Sequence, residues 1–235
     1  KPIITHQRVE FSLLSYEQIV NQAAKWNYMT AGKKYVQIVV RLIIGRGWGQ
    51  GPQHSQSLEP IFAHVPGLKV IAPSSPSDAK GLLAAAINDP NPVVMLEHRW
   101  LHQTYGEVSP DLYQQEIGRS KIVHAGTDIT IVTYSYMVIE ALRAARELAN
   151  VGVSAEVIDL TSLRPLDFDT IEKSIGKTGT LLTIDNGWST YGIGAEIVAR
   201  AASDCFDALK KPPIRLGVAD VPIPSTRALA NLVYP

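Results

Sequence analysis

Residues 45–60, GRGWGQGPQHSQSLEP, set four glycines and a proline directly ahead of a Gln-His-Ser-Gln-Ser run. A histidine among such donors and acceptors, at the entrance to a helix, is placed to exchange a proton near neutral pH, which makes His54 the first candidate for acid–base chemistry. A second reading stays open, in which His54 only caps the helix or bonds to the glycine loop. The glycines imply positive φ angles or an approach too close for a Cβ. Neither phosphate fingerprint is present. G-x-G-x-x-G fails from Gly45, where the last position is Gln50, from Gly47, where it is Pro52, and from Gly192, where it is Ile197. No glycine precedes a Lys-Ser or Lys-Thr pair in the Walker pattern either. His98 and His102, with Glu97 beside them, have the i, i+4 spacing of a helical metal pair, but the order is not His-Glu-x-x-His and no further ligand is apparent, so zinc is disfavoured.

The elements around these residues alternate. Ser15 predicts an N-cap for a helix through IVNQAAKWNYM, stopped at Gly32, and VQIVV predicts a buried strand ahead of the glycine loop, closed by Arg41. KVIAP reads as a strand, SDAKGLLAAAIND as a helix opened by Ser75 and Pro76, and PVVMLE as a strand. A polar, turn-rich segment beginning near His98 reads as a linker, after which the alternation resumes with DITIVTYS, EALRAARELANVG, AEVIDL, FDTIEKSIG, TLLTID, GAEIVARAASDCF and IRLGV. Strand–helix alternation means parallel pairing with crossovers. The expected fold class is therefore α/β: two successive three-layer αβα domains with mostly parallel sheets, over 1–100 and 123–235, joined by a linker over 101–122. In such sheets ligands sit at the carboxyl ends of strands, which is where the glycine loop falls.

Composition narrows the partners. The 235 residues carry 22 basic and 22 acidic side chains with no basic block, which argues against nucleic acid and anionic membranes. A small molecule or another protein is the expected partner. The single cysteine, Cys205, excludes an internal disulfide framework and reads as packing, and a reducing cytoplasm is the expected compartment. No apolar stretch approaches the roughly 20 residues that cross a bilayer, and KPIITHQRVE lacks the apolar core of a signal peptide. The chain opens on lysine without a cap, as a part of a longer polypeptide would.

The run GPQHSQSLE, followed by PGLKVIAPSSPSDAKGLLAAAINDPNPVVMLE, resembles the β subunit of the thiamine diphosphate-dependent decarboxylase component of 2-oxo acid dehydrogenase complexes, the group of pyruvate, branched-chain 2-oxo acid and acetoin dehydrogenases. GTDITIVTYSYMVIEALRAARELANVGVSAEVIDLTSLRPLD, NGWSTYGIGAEI and VADVPIP continue the resemblance through a transketolase-type C-terminal domain. The first domain would then be a pyrimidine-binding domain, incomplete at its N-terminus.

The resemblance implies that thiamine diphosphate lies between two subunits. An α-type partner holds the diphosphate and Mg2+, and this chain covers the aminopyrimidine. His54 falls on the family's active-site histidine, a proton donor or relay toward a developing oxyanion, and glycines 45 to 51 make room for backbone near the cofactor or the lipoyl arm. Phe11 falls on the aromatic position that packs on the aminopyrimidine, with a core aromatic as the open alternative. Arg41 matches an arginine of relatives, and a structural salt bridge explains it equally well. A K+ site built largely from carbonyls falls on Ala86, Ile87, Asp89 and Asn91, where an ordinary Asp-Pro-Asn-Pro turn is the alternative. Expected partners are the α subunit in an α2β2 heterotetramer, a second β subunit through Trp188 and Tyr191, and a lipoyl-bearing acyltransferase. One departure stands out: the family's cofactor-activating glutamate lies upstream of the phenylalanine position, ahead of residue 1, and relatives continue beyond NLVYP. A noncatalytic assembly module and a single-chain transketolase or deoxyxylulose synthase are the competing readings.

Overall fold

The computed structural model describes residues 1–235. The first half runs β1 (Ile3–His6), 3-10 turns over Val9–Ser15, wide helical turns over Gln18–Ala23, α1 (Ala24–Met29), β2 (Val39–Ile44), α2 (Glu59–Ala63), β3 (Lys69–Ile71), α3 (Pro76–Asn88) and β4 (Val93–His98). The second half runs β5 (Lys121–His124), β6 (Ile129–Thr133), α4 (Met137–Asn150), β7 (Ala155–Asp159), β8 (Ser162–Arg164), α5 (Phe168–Thr178), β9 (Leu181–Trp188), α6 (Ile193–Asp204), β10 (Ile214–Val218) and α7 (Arg227–Val233).

Two five-stranded sheets result, ordered β1-β2-β4-β3-β8 and β10-β9-β6-β7-β5. All pairings are parallel except those of β8 with β3 and of β5 with β7, at one edge of each sheet. The parallel strands are apolar on both faces, as a sheet covered on both sides requires: Val39, Val40, Leu42, Ile43 and Ile44 of β2 are all buried. Because β8 comes from the second half yet completes the first sheet, the two halves are stitched together. One apolar core runs through both, from Leu42, Val70 and Leu96 to Val132, Ile158 and Leu181. No helix is long and apolar enough to cross a membrane.

The α/β alternation stands as expected, with local differences. Ser15 does not cap a helix; its hydroxyl donates to Ser12 O at 3.1 Å, and helical turns begin earlier, at Val9. Arg41 does not close β2. It lies in mid-strand, and the strand continues to Ile44 because the three residues after Arg41 are all apolar and buried. His98 ends β4 rather than opening the linker, and β5 begins at Lys121, inside the segment expected to be linker. The short edge strands β1, β5 and β8 carried too little periodicity to be seen. Where the capping chemistry is strong the boundary agrees: Ser75 Oγ accepts from Asp78 N at 3.1 Å with Pro76 opening α3, whereas α5, expected to end at Gly176, runs on to Thr178 and stops at Gly179, whose φ is 72°.

Candidate functional site

β1 and β2 are parallel neighbours, with His6 opposite Leu42, so both deliver the chain to the same edge of the sheet. The segment after β1 therefore meets the loop after β2. That loop leaves Ile44 through Gly45 at φ +79°, where a Cβ would enter the His98 ring, and its base is closed by Gly45 N donating to Gln56 O at 2.9 Å. Gly49, at φ +80°, has no room for a Cβ because Ser225 O lies 2.5 Å from where it would be. The glycines thus meet both conditions the sequence implied. The groups that crowd Gly45 and Gly49 belong to this chain itself.

At the far side of the loop, residues 53–55 form one 3-10 turn that holds His54 at φ −98°, ψ 23°. The segment after β1 grips the loop and this turn at three points. Arg8 Nη1 donates to Gly45 O at 2.9 Å, Glu10 Oε1 pairs with His54 Nδ1, and the Phe11 ring lies 5.3 Å from the imidazole at 35°. His54 is 38% exposed while its partner Glu10 is 10% exposed, so the carboxylate is behind the ring and the ring faces outward. Nε2 has no partner within the chain and is not enclosed. Phe11 remains 45% exposed, so part of its ring is left for something else. Trp48, in the same loop, is exposed with the Arg99 guanidinium 4.4 Å above it. The structure thus brings the two expected site residues, His54 and Phe11, together. Glu10 was missed: without β1, nothing in the sequence aims an acid at position 10 toward a loop 44 residues on.

The remaining expected positions lie elsewhere. Ala86, Ile87, Asp89 and Asn91 sit where α3 ends and β4 has yet to begin, at the amino ends of the strands, opposite the carboxyl ends that lead to His54. Pro90 has no N–H to give Ala86 O, and Asn91 N donates to Asp89 Oδ1 at 2.9 Å instead of to Ile87 O. Burial opposes ionisation of Asp89, but Lys69 and both nitrogens of Asn91 outweigh it and hold the carboxyl below its ordinary range. Arg41 makes two hydrogen bonds to Glu97 across the neighbouring strand, at 2.6 and 2.8 Å, which is the salt-bridge reading. His102 Nε2 sits 3.5 Å from the same carboxylate. Burial pushes His98 down to about 3, with Arg8 and His102 adding to the effect, so its ring is neutral, and Nδ1 accepts from Trp100 N at 3.2 Å. Trp188 ends β9 with Nε1 donating to Val221 O at 2.8 Å, and Tyr191 is 87% exposed at φ 57°. Cys205 is buried, and that burial pushes its thiol up.

A second polar cluster, unforeseen in the sequence, lies in the seam between the two halves. A cavity of about 160 Å³ is lined by Ser57, Glu59, Tyr134, Asp185, Trp188 and Tyr191, among others. Glu59 is 1% exposed, and neither carboxyl oxygen has a partner. Burial pushes it up to about 8, against the pull of its own backbone N–H in the first turn of α2 and with a further push from Asp185. Asp185 is pushed up to about 6 by burial, although Gly194 N at 3.1 Å and Tyr134 Oη at 3.2 Å donate to it.

Residues 1–103 match the family described as the transketolase pyrimidine binding domain, and residues 118–234 the transketolase C-terminal domain. A split-gene transketolase, an inactive beta4 tetramer, superposes at a TM-score of 0.77 over 99% of this chain and 69% of its own, and at 23% identity that likeness shows the fold alone. Fold and domain matches together define a transketolase-like protein. The mitochondrial pyruvate dehydrogenase E1 component subunit beta of Caenorhabditis elegans is 46% identical over all of this chain and 68% of its own length. The beta-1 subunit of Arabidopsis thaliana is 45% identical over all of the chain and 66% of its own, and the acetoin:2,6-dichlorophenolindophenol oxidoreductase subunit beta of Cupriavidus necator 41% over all of the chain and 70% of its own. The chain belongs to the family of E1-type β subunits of 2-oxo acid and acetoin dehydrogenases, and spans about two thirds of the length of these relatives.

Proposed function

We propose that this chain supplies the pyrimidine-side wall and the acid–base histidine of a thiamine diphosphate-dependent dehydrogenase that cleaves a 2-oxo acid or acetoin and passes the acyl group to a lipoyl carrier. The observation that carries the reading is the open corner made by His54 and Phe11. A part-exposed aromatic face stands beside an imidazole whose outer nitrogen is unengaged. An aromatic ring with polar edges, such as an aminopyrimidine, fits that corner through ring packing on Phe11. When bound, the cofactor supplies the carbanion stabilisation that bond cleavage beside a carbonyl needs. This chain's part is to exclude water with Phe11 and to hold or deliver a proton at His54 Nε2. The likeness to E1-type β subunits assigns the diphosphate and Mg2+ to an α subunit in this reading.

The same reading places the chain in an α2β2 assembly, with the exposed Tyr191 at a contact between subunits, and gives the acyl group a lipoyl-bearing acyltransferase as destination. The cytoplasm, expected from the lone buried thiol, stays part of the proposal, since relatives include proteins named mitochondrial. The test is to co-produce the chain with its α partner, supply thiamine diphosphate and Mg2+, and follow dye reduction with pyruvate, branched-chain 2-oxo acids and acetoin. One of them should turn over. An assembled complex inert toward all three would favour the noncatalytic assembly module.

The K+ site at Ala86, Ile87, Asp89 and Asn91 is a proposal that rests on the donor-free carbonyls of Ala86 and Ile87. Potassium chloride at about ten times its dissociation constant should stabilise the chain by roughly 1.4 kcal/mol, a rise of a few degrees in thermal midpoint. An equal rise with tetramethylammonium chloride at the same ionic strength would reduce the effect to screening and remove the site.

A further inference from the structure

We infer that Glu10 is a positioning residue for His54, fixing which ring nitrogen carries the proton and which way the other one points. In its kinetic consequence the inference rests on the function proposed above; in its structural content it does not.

Glu10 stands second in the 3-10 turns over Val9–Ser15, where an acid ordinarily lies in solvent and favours the N-terminal end of a helical segment. Here the side chain is only 10% exposed and turns inward onto His54 Nδ1. Its second oxygen, Oε2, is buried without any partner. Burying half of a carboxylate unsatisfied costs stability, so helix-end electrostatics does not account for the placement. Contact with the imidazole does. Arg8, two residues earlier, is committed to Gly45 O at 2.9 Å, which leaves Glu10 facing the ring as its own segment's acceptor.

The chemistry follows from what each group can donate. An ionised carboxylate only accepts, so Nδ1 must carry a hydrogen. In the neutral ring Nε2 then carries the lone pair and is the base. Phe11, at 5.3 Å, packs beside the ring and restricts its rotation about χ2, so Nε2 keeps one direction. His54 thus stands between an anion that sets its protonation pattern and an aromatic that sets its aim. Both come from the short segment that β1 delivers beside β2.

The test reads the tautomer directly. In the 15N-histidine-labelled isolated chain, His54→Ala identifies the His54 signals among the six histidines. At a pH where the ring is neutral, the wild-type signals should show hydrogen on Nδ1 and a bare Nε2. In Glu10→Ala, and in Glu10→Met, which keeps the side-chain volume without an acceptor, the signals should shift toward the Nε2–H form that a free histidine side chain prefers. In the assembled enzyme both variants should lower kcat roughly tenfold or more with KM little changed. Hydrogen on Nε2 in the wild type, or a tautomer indifferent to both substitutions, overturns the inference. A wild-type complex that turns over no substrate counts against the proposed function instead, and the tautomer still decides the role of Glu10.

Discussion

Replacing His54 by alanine in the assembled enzyme should lower turnover about a hundredfold or more, the loss expected when a positioned acid–base group is removed. The geometry makes the effect specific. The imidazole is tied at Nδ1 to Glu10 and flanked by Phe11, while Nε2 is left open, so truncation removes a proton carrier and little packing. His54 is 38% exposed and Gly45 N closes the loop base on Gln56 O without its help, so folding and assembly should survive. KM should move less than kcat, because the proton matters as the bond breaks rather than when substrate docks. Rates near wild type in a fully assembled variant would make His54 a structural residue and leave the open corner without a catalyst.

Much of the site was legible because it is local. The His-Ser-Gln run, its glycines and the strand before them are contiguous, and the backbone demands of Gly45 and Gly49 can be named from residue type even before the crowding groups, the His98 ring and Ser225 O, are known. The same holds for α3, whose Ser75-Pro76 opening and apolar spacing specify it without tertiary help. What escaped was non-local. Glu10 and His54 are joined only because β1, four residues long and half exposed, pairs beside β2. A strand that short has too few alternations to display a period. The extension of β2 past Arg41 was hidden for a related reason: a charge in an apolar run looks like an end until Glu97 on the neighbouring strand neutralises it. Nothing local marks Glu59, an acid in the first turn of α2, and only the packing of the second half over it, with Gly187 close against Ser57 O, buries it.

That burial carries the second large effect. Glu59 ionises at about 8 in the folded chain against 4.5 when unfolded. A carboxyl whose folded value is raised stabilises the fold fully at pH below 4.5 and loses that contribution as pH climbs toward 8 and ionises it in the seam. Other groups share or oppose this slope. Asp185 and Asp159, raised to about 6 and about 7, add to the loss in the lower part of the range. His98, lowered to about 3 from 6.5, works the other way: it costs stability as pH falls below 6.5 and is silent above it. The acids and His98 therefore offset one another at mildly acidic pH, and above pH 6.5 the fall belongs mostly to Glu59. Between about pH 6.5 and 8.5 it should amount to roughly 2 kcal/mol, on the order of 5 °C in thermal midpoint for a chain of this size. Glu59→Gln keeps the shape and cannot ionise, so its melting profile should be much flatter across that window, and its advantage over the wild type should widen by roughly 2 kcal/mol toward the alkaline end. Two profiles that stay parallel from neutral to alkaline pH would mean that water entering the cavity beside Glu59 solvates its carboxylate and that burial does not hold it protonated.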